Sequence, residues 1–505
     1  MLFKATVNAD DKALPNSGSK NGQQLAKLLP RFVWIFCLII SFIGLLISTK
    51  SSPLYPLNDW PDANAFFTMG KGMVNNKVLY RDLFDHKGPL LYLIYGLASL
   101  ISPRTFLGVF VFEVFSFSFF LFYFYKILCL FCNTTRSIVY LPIIATLVLN
   151  LKCFVHGGSA EEFCLPLVLI SLFCLLSYFR SGFLHPMSNG WIFDNGIIAG
   201  CILWVKFSFL GFWFGWILAI LTCLLFKKQF QSILRSIIYF CLGMVISTLP
   251  WLIYFGINHS INDWISSYLL INITNYPVQM PLFGRIRFIF SAISGQVGVN
   301  PLFGMILWLG LLYLYLSKKI FTSALQRVLI VLLVLFFIIG IYGGGLRYLY
   351  YYLILAPLSI FGFIAFDQFI FEHPGFEMSL KTSLATFFVL LFLLSVYLAN
   401  FQDNVYMLSW KKNDLVQYKF AELIEQSETP TLLEYGTLDF WFYTTTGIIP
   451  NCRFFIKQNL RQSSSLPILE EQNRYIKGVF LMKLFKGKRI TTGSPGMILI
   501  SLLIR

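Results

Sequence analysis

The chain has 505 residues, of which 57% are hydrophobic, 18% are aromatic and only 12% are charged. Because soluble domains carry about 25% charged residues, this composition excludes a soluble globular protein and predicts a polytopic membrane protein. The formal net charge of +16 suits a nucleic-acid-binding protein. The Lys and Arg residues, however, are scattered between apolar runs instead of massed on one face, so we expect no nucleic-acid partner.

The N-terminal segment, residues 1–31, is polar and ends in Lys27 and Arg31. An apolar run follows directly, without the features of a cleavable signal peptide. We therefore predict a cytoplasmic tail over 1–31, followed by an uncleaved first span.

Apolar runs of about the length of a membrane span recur from there to residue 400. A helix needs about 20 apolar residues, in a range of about 17–25, to cross a bilayer, so we predict an all-α transmembrane domain over 32–400 with about eleven spans. Two shorter apolar segments, Leu90–Ile101 and Phe288–Ile293, are predicted to lie at the membrane interface. The predicted spans centre on 32–49, 105–126, 137–151, 163–179, 191–206, 208–226, 236–257, 300–317, 326–342, 348–366 and 382–400.

The Lys and Arg residues of the short loops predict the orientation. With eleven spans they fall on one face, and loops rich in Lys and Arg are cytoplasmic. We therefore expect the protein in the cytoplasmic (inner) membrane, with the first outer loop, 50–104, and the tail, 401–505, outside the cell. The basic residues behind this prediction are Lys126, Arg136, Arg180, Lys227, Lys228, Arg235, Lys318, Lys319 and Arg327.

The tail over 401–505 is richer in Lys, Glu, Gln and Ser than the preceding chain. Segments 431–435, 478–481 and 497–503 have the pattern of strands, and 438–445 has that of a helix. We predict a small extracytoplasmic α/β domain.

Acidic and imidazole groups gather on the predicted outer face. Carboxylates beside cations suit general-base activation of an acceptor and binding of a phosphate leaving group. The histidines could supply nitrogen ligands to zinc or magnesium, but they come from separate loops, so a divalent metal ion is an alternative that the spacing does not demand. The chain has no P-loop and no G-x-S-x-G motif. The outer-face groups are Asp59, Asp62, Asp82, Asp85, His86, His156, Glu161, Glu162 and His259.

Several short motifs resemble those of a known family. Pro61–Phe67, Leu79–Asp82 and His86–Leu90 resemble the first outer loop of GT-C glycosyltransferases, in particular bacterial enzymes that use dolichyl- or polyprenyl-phosphate sugars, such as protein O-mannosyltransferases and aminoarabinose transferases. Further similarities occur at Gly158–Phe163, Leu203–Phe207, Arg347–Tyr352 and Glu434–Asp439.

The resemblance implies the transfer of a sugar, with inversion, from a polyprenyl-phosphate donor to an envelope glycan, lipid or protein. The donor and the membrane lipids around it are then the expected partners. Asp62 matches the catalytic acid, Lys87 the loop lysine near the phosphate, and Lys206 and Arg347 further phosphate contacts. Many relatives carry a second acid directly after the aspartate, where this chain has Ala63. The candidates for that second acid are Asp59, Asp82 and Glu161, and the candidates for lining the site or the acceptor are Glu161, Glu162 and Asp85.

Other interpretations compete with these. Asp62 could cap the helix that follows, Asp82 could pair with Arg81, and Lys87 could extend to the membrane interface. A transporter or flippase of lipid-linked saccharides is the alternative function, but it predicts charges along a membrane path and inverted repeats, and we find few such charges and no repeat. A polymerase or ligase that uses a lipid-linked oligosaccharide would keep the same outer acids and cations.

Overall fold

The computed structural model describes residues 20–183, 185–318, 320–371, 378–428, 430–434, 441–456, 467–468, 470–471, 474 and 497–500. Within these ranges the protein is a helical, polytopic membrane protein, as predicted, and each of the eleven predicted spans falls on a helix. Seven helices are long and apolar enough to cross a bilayer: Leu107–Phe131, Ala160–Arg180, Asn189–Phe226, Phe230–Ile257, Ala324–Tyr342, Leu349–Ile370 and Leu380–Phe401. Shorter apolar helices cover Phe32–Ser48, Pro89–Ile101, Thr134–Leu149 and Pro301–Leu316.

The helices follow one another closely along the chain. Short 3₁₀ segments occupy Phe207–Phe209 and Leu349–Ser359, and a π-helix occupies Ile265–Asn275. The α-helices are α1 (Lys20–Ser48), α2 (Pro61–Val74), α3 (Pro89–Ile101), α4 (Leu107–Phe131), α5 (Thr134–Leu149), α6 (Ala160–Arg180), α7 (Asn189–Lys206), α8 (Leu210–Phe226), α9 (Phe230–Ile257), α10 (Ile261–Trp264), α11 (Leu282–Val299), α12 (Pro301–Leu316), α13 (Ala324–Tyr342), α14 (Ile360–Ile370), α15 (Leu380–Phe401), α16 (Val416–Glu425) and α17 (Phe442–Thr446).

The long apolar stretch Asn189–Phe226 is folded back on itself at its 3₁₀ turn. Helices α7 and α9 run in the same direction, since Gly196 packs against the carbonyl of Phe240 and, further along both, Trp204 Nε1 donates to Thr248 Oγ1 at 2.9 Å. Helix α8 lies between them in the chain and therefore runs the opposite way. The stretch supplies two antiparallel helices, in agreement with the two spans predicted there.

Helix ends alternate between two faces of the molecule. On the face of the first outer loop, Lys152 Nζ lies 2.7 Å from Asp403 Oδ1. On the opposite face, Arg136 Nε lies 2.9 Å from Asp367 Oδ1. Between the two faces, α9 exposes a row of large apolar side chains, a surface that suits contact with lipid; the row includes Leu234, Ile238, Leu242, Val245, Leu249 and Leu252.

The first outer loop is a packed helical layer. Pro61 and Pro89 occupy the first turns of α2 and α3, where their missing N–H groups leave no hydrogen bond unmade. The two helices touch backbone to backbone, because a Cβ atom on Gly70 would stand 2.4 Å from the amide nitrogen of Gly96. On its other side α2 meets α17, and Lys71 Nζ donates to the carbonyl of Tyr443 at 2.7 Å. The layer fixes the direction in which the start of α2 points.

Two smaller predictions meet different outcomes. The segment Leu90–Ile101 is helical as expected and forms most of α3, whereas Phe288–Ile293 is only the centre of the longer helix α11. In the tail, strands β1 (Thr431–Glu434) and β2 (Met497–Ile500) pair in parallel, with Thr431 opposite Met497, and coincide with two of the predicted strands. The predicted strand 478–481 lies outside the described residues.

Candidate active site

Asp62 lies in the first turn of α2. The N-cap position belongs to Trp60, and no side chain makes a capping hydrogen bond there, so Asp62 is not the cap that the competing interpretation proposed. The side chain is half-buried, and within the described part of the chain its carboxylate has no hydrogen bond or ion pair. Its negative charge acts on His86 and Lys87. A partly exposed, unpaired carboxylate beside a cation can accept a proton from a bound acceptor.

Hydrogen bonds fix the backbone of the next functional segment, residues 85–87. Asp85 Oδ1 accepts from the His86 N–H at 2.7 Å, and Asp85 Oδ2 accepts from Tyr92 Oη at 2.6 Å. Tyr92 Oη in turn accepts from the Lys87 N–H at 2.9 Å. Gly88 then presses against α7, since a Cβ atom there would stand 2.0 Å from the carbonyl oxygen of Trp204. Asp85 thus holds the segment in place and is itself buried, so it positions Lys87 instead of facing a substrate.

The half-buried ammonium group of Lys87 lies among groups that favour its charged form. Burial alone lowers the pKa of Lys87, but Tyr276 and the negative charges of Asp85, Asp62 and Glu161 outweigh it and raise the pKa above its ordinary value. The Lys87 ammonium also lies 5.9 Å from the ring centroid of Tyr276. A half-buried lysine whose charged form is favoured, on the wall of a cavity, is suited to binding an anion.

A second cation reaches the same region from α7. Lys206 Nζ lies 2.5 Å from Glu161 Oε1, and the two side chains are only 15% and 2% exposed. The Lys206 ammonium also lies 3.7 Å from the ring centroid of Tyr351, and it interacts electrostatically with the charge of Lys87. The last turn of α7 and the first turn of α6 therefore bring an ion pair to the region that Lys87 enters.

Lys87 and Lys206 line one cavity of about 530 Å³. A third cation, Arg285 of α11, lines it too, and its guanidinium donates to the carbonyl of Gly343. Apolar residues complete the wall, among them Val205, Phe207, Ile341 and Leu346. Three cations beside an apolar wall suit a phosphate attached to a lipid chain.

Arg285, which lines the cavity, was not among the residues predicted from the sequence. The resemblance pointed instead to Arg347, which the structure places on the exposed surface and not among the residues that line the cavity. A signal for Arg285 was present, since it is a basic residue in a segment predicted to lie outside, against the usual bias of Lys and Arg toward the cytoplasm.

The other two candidate bases are held by neighbouring cations. Asp59 Oδ1 lies 2.5 Å from Lys50 Nζ, and Asp59 Oδ2 accepts from Tyr406 Oη at 2.8 Å. Asp82 makes two hydrogen bonds to Arg81, at 2.8 and 3.1 Å, as the competing interpretation expected. Neither of these carboxylates lines the cavity, and neither does that of Asp62 or Glu161. Glu161 is nevertheless paired with Lys206, which lines it, and the charge of Asp62 acts on Lys87, whereas Asp59 and Asp82 are paired with other cations.

Glu162 closes the N-terminus of α6. Its N–H donates to Ser159 Oγ at 3.1 Å, and its Oε2 accepts from the Gly158 N–H at 2.7 Å, an arrangement close to a capping box. The same carboxyl group lies close enough to that of Glu113 in α4 for the two charges to act on each other, and Glu113 Oε1 accepts from Thr49 Oγ1 at 2.7 Å. Two carboxyl groups in one buried site disfavour double ionisation, so the pair favours holding one proton. The sequence analysis missed Glu113, whose partner comes from a distant helix.

The three histidines occupy different environments. His86 Nδ1 lies 3.2 Å from Asp85 Oδ1, His156 stacks on Trp60 with ring centroids 4.8 Å apart, and His259 follows α9 in a left-handed backbone conformation with φ of 52°. In the part of the chain that the structure describes, no three His, Cys, Asp or Glu side chains are placed to hold a metal ion. The suggested metal site therefore gains no support.

Comparison with solved structures identifies the fold. Over 93% of this chain and 92% of the other, the structure matches the crystal structure of ArnT from Cupriavidus metallidurans bound to undecaprenyl phosphate, with a TM-score of 0.55 and 11% sequence identity. The chain therefore has the fold of ArnT, a GT-C aminoarabinose transferase, and the resemblance in the sequence motifs is confirmed at the level of fold. No protein-family model and no curated protein matches the sequence.

Proposed function

We propose that the protein is a membrane glycosyltransferase that moves a sugar from a polyprenyl-phosphate donor to an acceptor on the outer face of the cytoplasmic membrane. The observation that carries this proposal is that Lys87, Lys206 and Arg285 line one cavity, and that the carboxylate of Asp62, which has no partner among the described residues, acts by its charge on Lys87. A base and a phosphate-binding site are the two groups that such a transfer needs. The likeness of the fold to ArnT, solved with undecaprenyl phosphate, supports this choice of donor.

In the proposed reaction the acceptor hydroxyl approaches the anomeric carbon of the donor sugar. Asp62 takes the hydroxyl proton, the new glycosidic bond forms, and the bond between the anomeric carbon and the phosphate oxygen breaks. Direct displacement inverts the configuration at that carbon. Negative charge then builds up on the polyprenyl phosphate, where the cations of Lys87, Lys206 and Arg285 stabilise it.

The proposed topology has eleven spans with the site outside. Support comes from the alternation of helix ends and from charge, since Arg136, Arg180, Lys227, Lys228 and Arg327 all lie at helix ends or turns on the face opposite the first outer loop. Loops of that kind stay in the cytoplasm. Donor and acceptor would then meet where no nucleotide sugar is available, which agrees with a lipid-linked donor.

The test is transfer by the purified full chain, in detergent or nanodiscs, of radiolabelled hexose from polyprenyl phosphates to cell-envelope acceptors. Asp62→Asn keeps the shape of the side chain but removes the base, so the rate should fall by about 10²–10⁴-fold. Asp82→Asn is the matched control. It should retain activity, because the Asp82 carboxylate accepts a hydrogen bond from Arg81 and is not available as a base. Full activity of Asp62→Asn would refute the site, and binding of lipid-linked sugars without transfer under any condition would favour the transporter.

A further inference from the structure

A second cavity of about 210 Å³ lies where the first outer loop meets the C-terminal region. Its wall comes from three parts of the chain: 50–58 after α1, 104–107 between α3 and α4, and residues around α16 and α17. It shares no lining residue with the cavity beside Lys87. Sites for drug-sized ligands have about 300–1,000 Å³, so this space suits a single sugar unit.

The charged side chains on its wall are all cationic. Lys50, Arg104 and Lys412 line it, and no Asp or Glu does. Two of the cations are held from outside the cavity, Lys50 by Asp59 and Arg104 by Glu425. Within the described residues Lys412 has no carboxylate partner. A small cavity open to the surface, with cations as the only charged groups on its wall, favours an anionic ligand.

Aromatic and hydroxyl groups on the same wall suit a sugar. Tyr55, Tyr418 and Trp441 line the cavity together with Thr444 and Thr445. Trp441 has φ of 60°, a left-handed conformation that is uncommon for a bulky residue and that clusters at ligand-binding sites. Flat aromatic faces pack on sugar rings, and hydroxyl groups exchange hydrogen bonds with them.

The cavity is joined to the helix that carries Asp62. Thr444 Oγ1 donates to Asn64 Oδ1 at 2.9 Å. The amide of Asn64 also donates to the carbonyl of Asn58, which lines the cavity, at 2.8 Å. Asn64 is two residues beyond Asp62 on α2. A ligand in this cavity would therefore contact the turn that sets the position of the proposed base.

We infer that the second cavity binds an anionic sugar unit of the acceptor, one that bears a carboxylate or a phosphate and is not itself the reacting sugar. That the bound sugar belongs to the acceptor rests on the proposed function. The binding itself requires neither the donor nor turnover. Lys412, Lys50 and Arg104 attract the anionic group, Trp441 and Tyr418 pack on the ring, and the shared turn places the remainder of the acceptor toward Asp62.

The experiment is a ligand-observed NMR titration of the purified full chain in micelles with glucuronic acid, glucose 6-phosphate, glucose and inorganic phosphate. Both charged sugars, or one of them, should bind at least about tenfold more tightly than glucose, since a charge-assisted hydrogen bond contributes about that factor. The charged sugar that binds better identifies the anionic group. Equal binding of glucose would overturn the charge argument, and inorganic phosphate binding as tightly as both charged sugars would overturn the sugar argument.

Variants locate the binding. Lys412→Gln changes an exposed side chain and should weaken binding of the charged sugar about tenfold, whereas Lys419→Gln, an exposed lysine of α16 that does not line the cavity, should not. Lys87→Gln should leave this affinity unchanged, because Lys87 lines the other cavity. The assignment would be overturned if Lys87→Gln lost binding of the charged sugar. It would also be overturned if Lys412→Gln bound the charged sugar as tightly as the wild type does. Failure of sugar transfer with intact binding would count against the proposed function alone.

Discussion

Lys206 and Glu161 form a nearly buried ion pair, 2.5 Å between Nζ and Oε1, that joins the outer ends of α7 and α6. The Lys206 ammonium also rests 3.7 Å from the ring centroid of Tyr351. Taking two charges out of water is costly, so a pair of this kind is weak support for stability and better support for a functional requirement. Lys206 lines the larger cavity, and the function proposed for that cavity, the binding of a phosphate, would supply such a requirement.

Removing one partner of this pair should destabilise the protein. Lys206→Met leaves the Glu161 carboxylate buried without a counter-ion, which costs about 3–5 kcal/mol and should lower the apparent melting temperature in detergent. The double variant Lys206→Met with Glu161→Gln removes both charges and should recover most of that stability. Its affinity for undecaprenyl phosphate should stay low. Recovery of affinity together with stability would show that the Lys206 cation has no part in phosphate binding.

The cations of the larger cavity should control donor binding. Lys87→Gln and Arg285→Gln should each weaken binding of undecaprenyl phosphate by about tenfold or more, since hydrogen bonds to charged groups contribute about 1.5–3 kcal/mol. Arg347→Gln is the matched control, because that side chain is exposed and does not line the cavity. A loss of affinity in Arg347→Gln equal to that in Arg285→Gln would return Arg347 to the site.

His156 should make the protein sensitive to acid. Burial, together with the nearby charge of Lys50, lowers the pKa of His156 to about 4, whereas an unfolded histidine titrates at about 6.5. As pH falls from about 6.5 to about 4 the unfolded chain takes up a proton that the folded protein rejects, so up to about 3 kcal/mol of stability is lost in that window. Below the folded pKa the loss levels off.

The measurement for His156 is the apparent melting temperature at pH 7.5 and pH 5.0. His156→Phe can keep the stack on Trp60 without a titrating group, so it should lose less stability on acidification than the wild type. The pKa of His86 is also lowered by burial. Because His86 is present in both proteins, its contribution to the loss of stability is the same in each and cancels in the comparison. An identical loss in both would show that His156 does not titrate differently on folding.

The stability of the protein should tolerate an amide in place of the Glu113 carboxyl group, beside Glu162, but not the loss of that group. Glu113→Gln replaces the shared proton with an N–H donor and should change stability by less than about 1 kcal/mol. Glu113→Ala leaves Glu162 and Thr49 without their buried partner and should cost about 2–4 kcal/mol. Thermal unfolding of both variants at neutral pH checks the difference. Equal destabilisation by Gln and Ala would contradict a proton shared between the two carboxyl groups.

Much of the fold could be predicted from sequence because the bilayer imposes a local requirement. A spanning helix must satisfy its own backbone hydrogen bonds and present about 20 apolar residues, so each predicted span has a helix at its position. Proline and polar caps mark helix starts in the same local way, as at Pro61, Pro89 and Ser159. Asp62, Lys87 and Lys206 were also selected as candidates from the sequence, since charge is conspicuous in an apolar chain and their motifs resemble a known family, and their role in a site stays a prediction.

Only the tertiary structure decided how these groups pair. Asp59, Asp62 and Asp82 are the same residue type in the same loop, but packing pairs Asp59 with Lys50 and Asp82 with Arg81 and gives Asp62 no partner among the described residues. Arg285 replaces Arg347 in the cavity for the same kind of reason, because the direction of a helix after a turn depends on contacts with distant parts of the chain. The sequence by itself determined which segments enter the membrane and which residues carry charge. Which charges meet was determined by long-range packing, since a charge is stable inside protein only beside a partner that the fold brings to it.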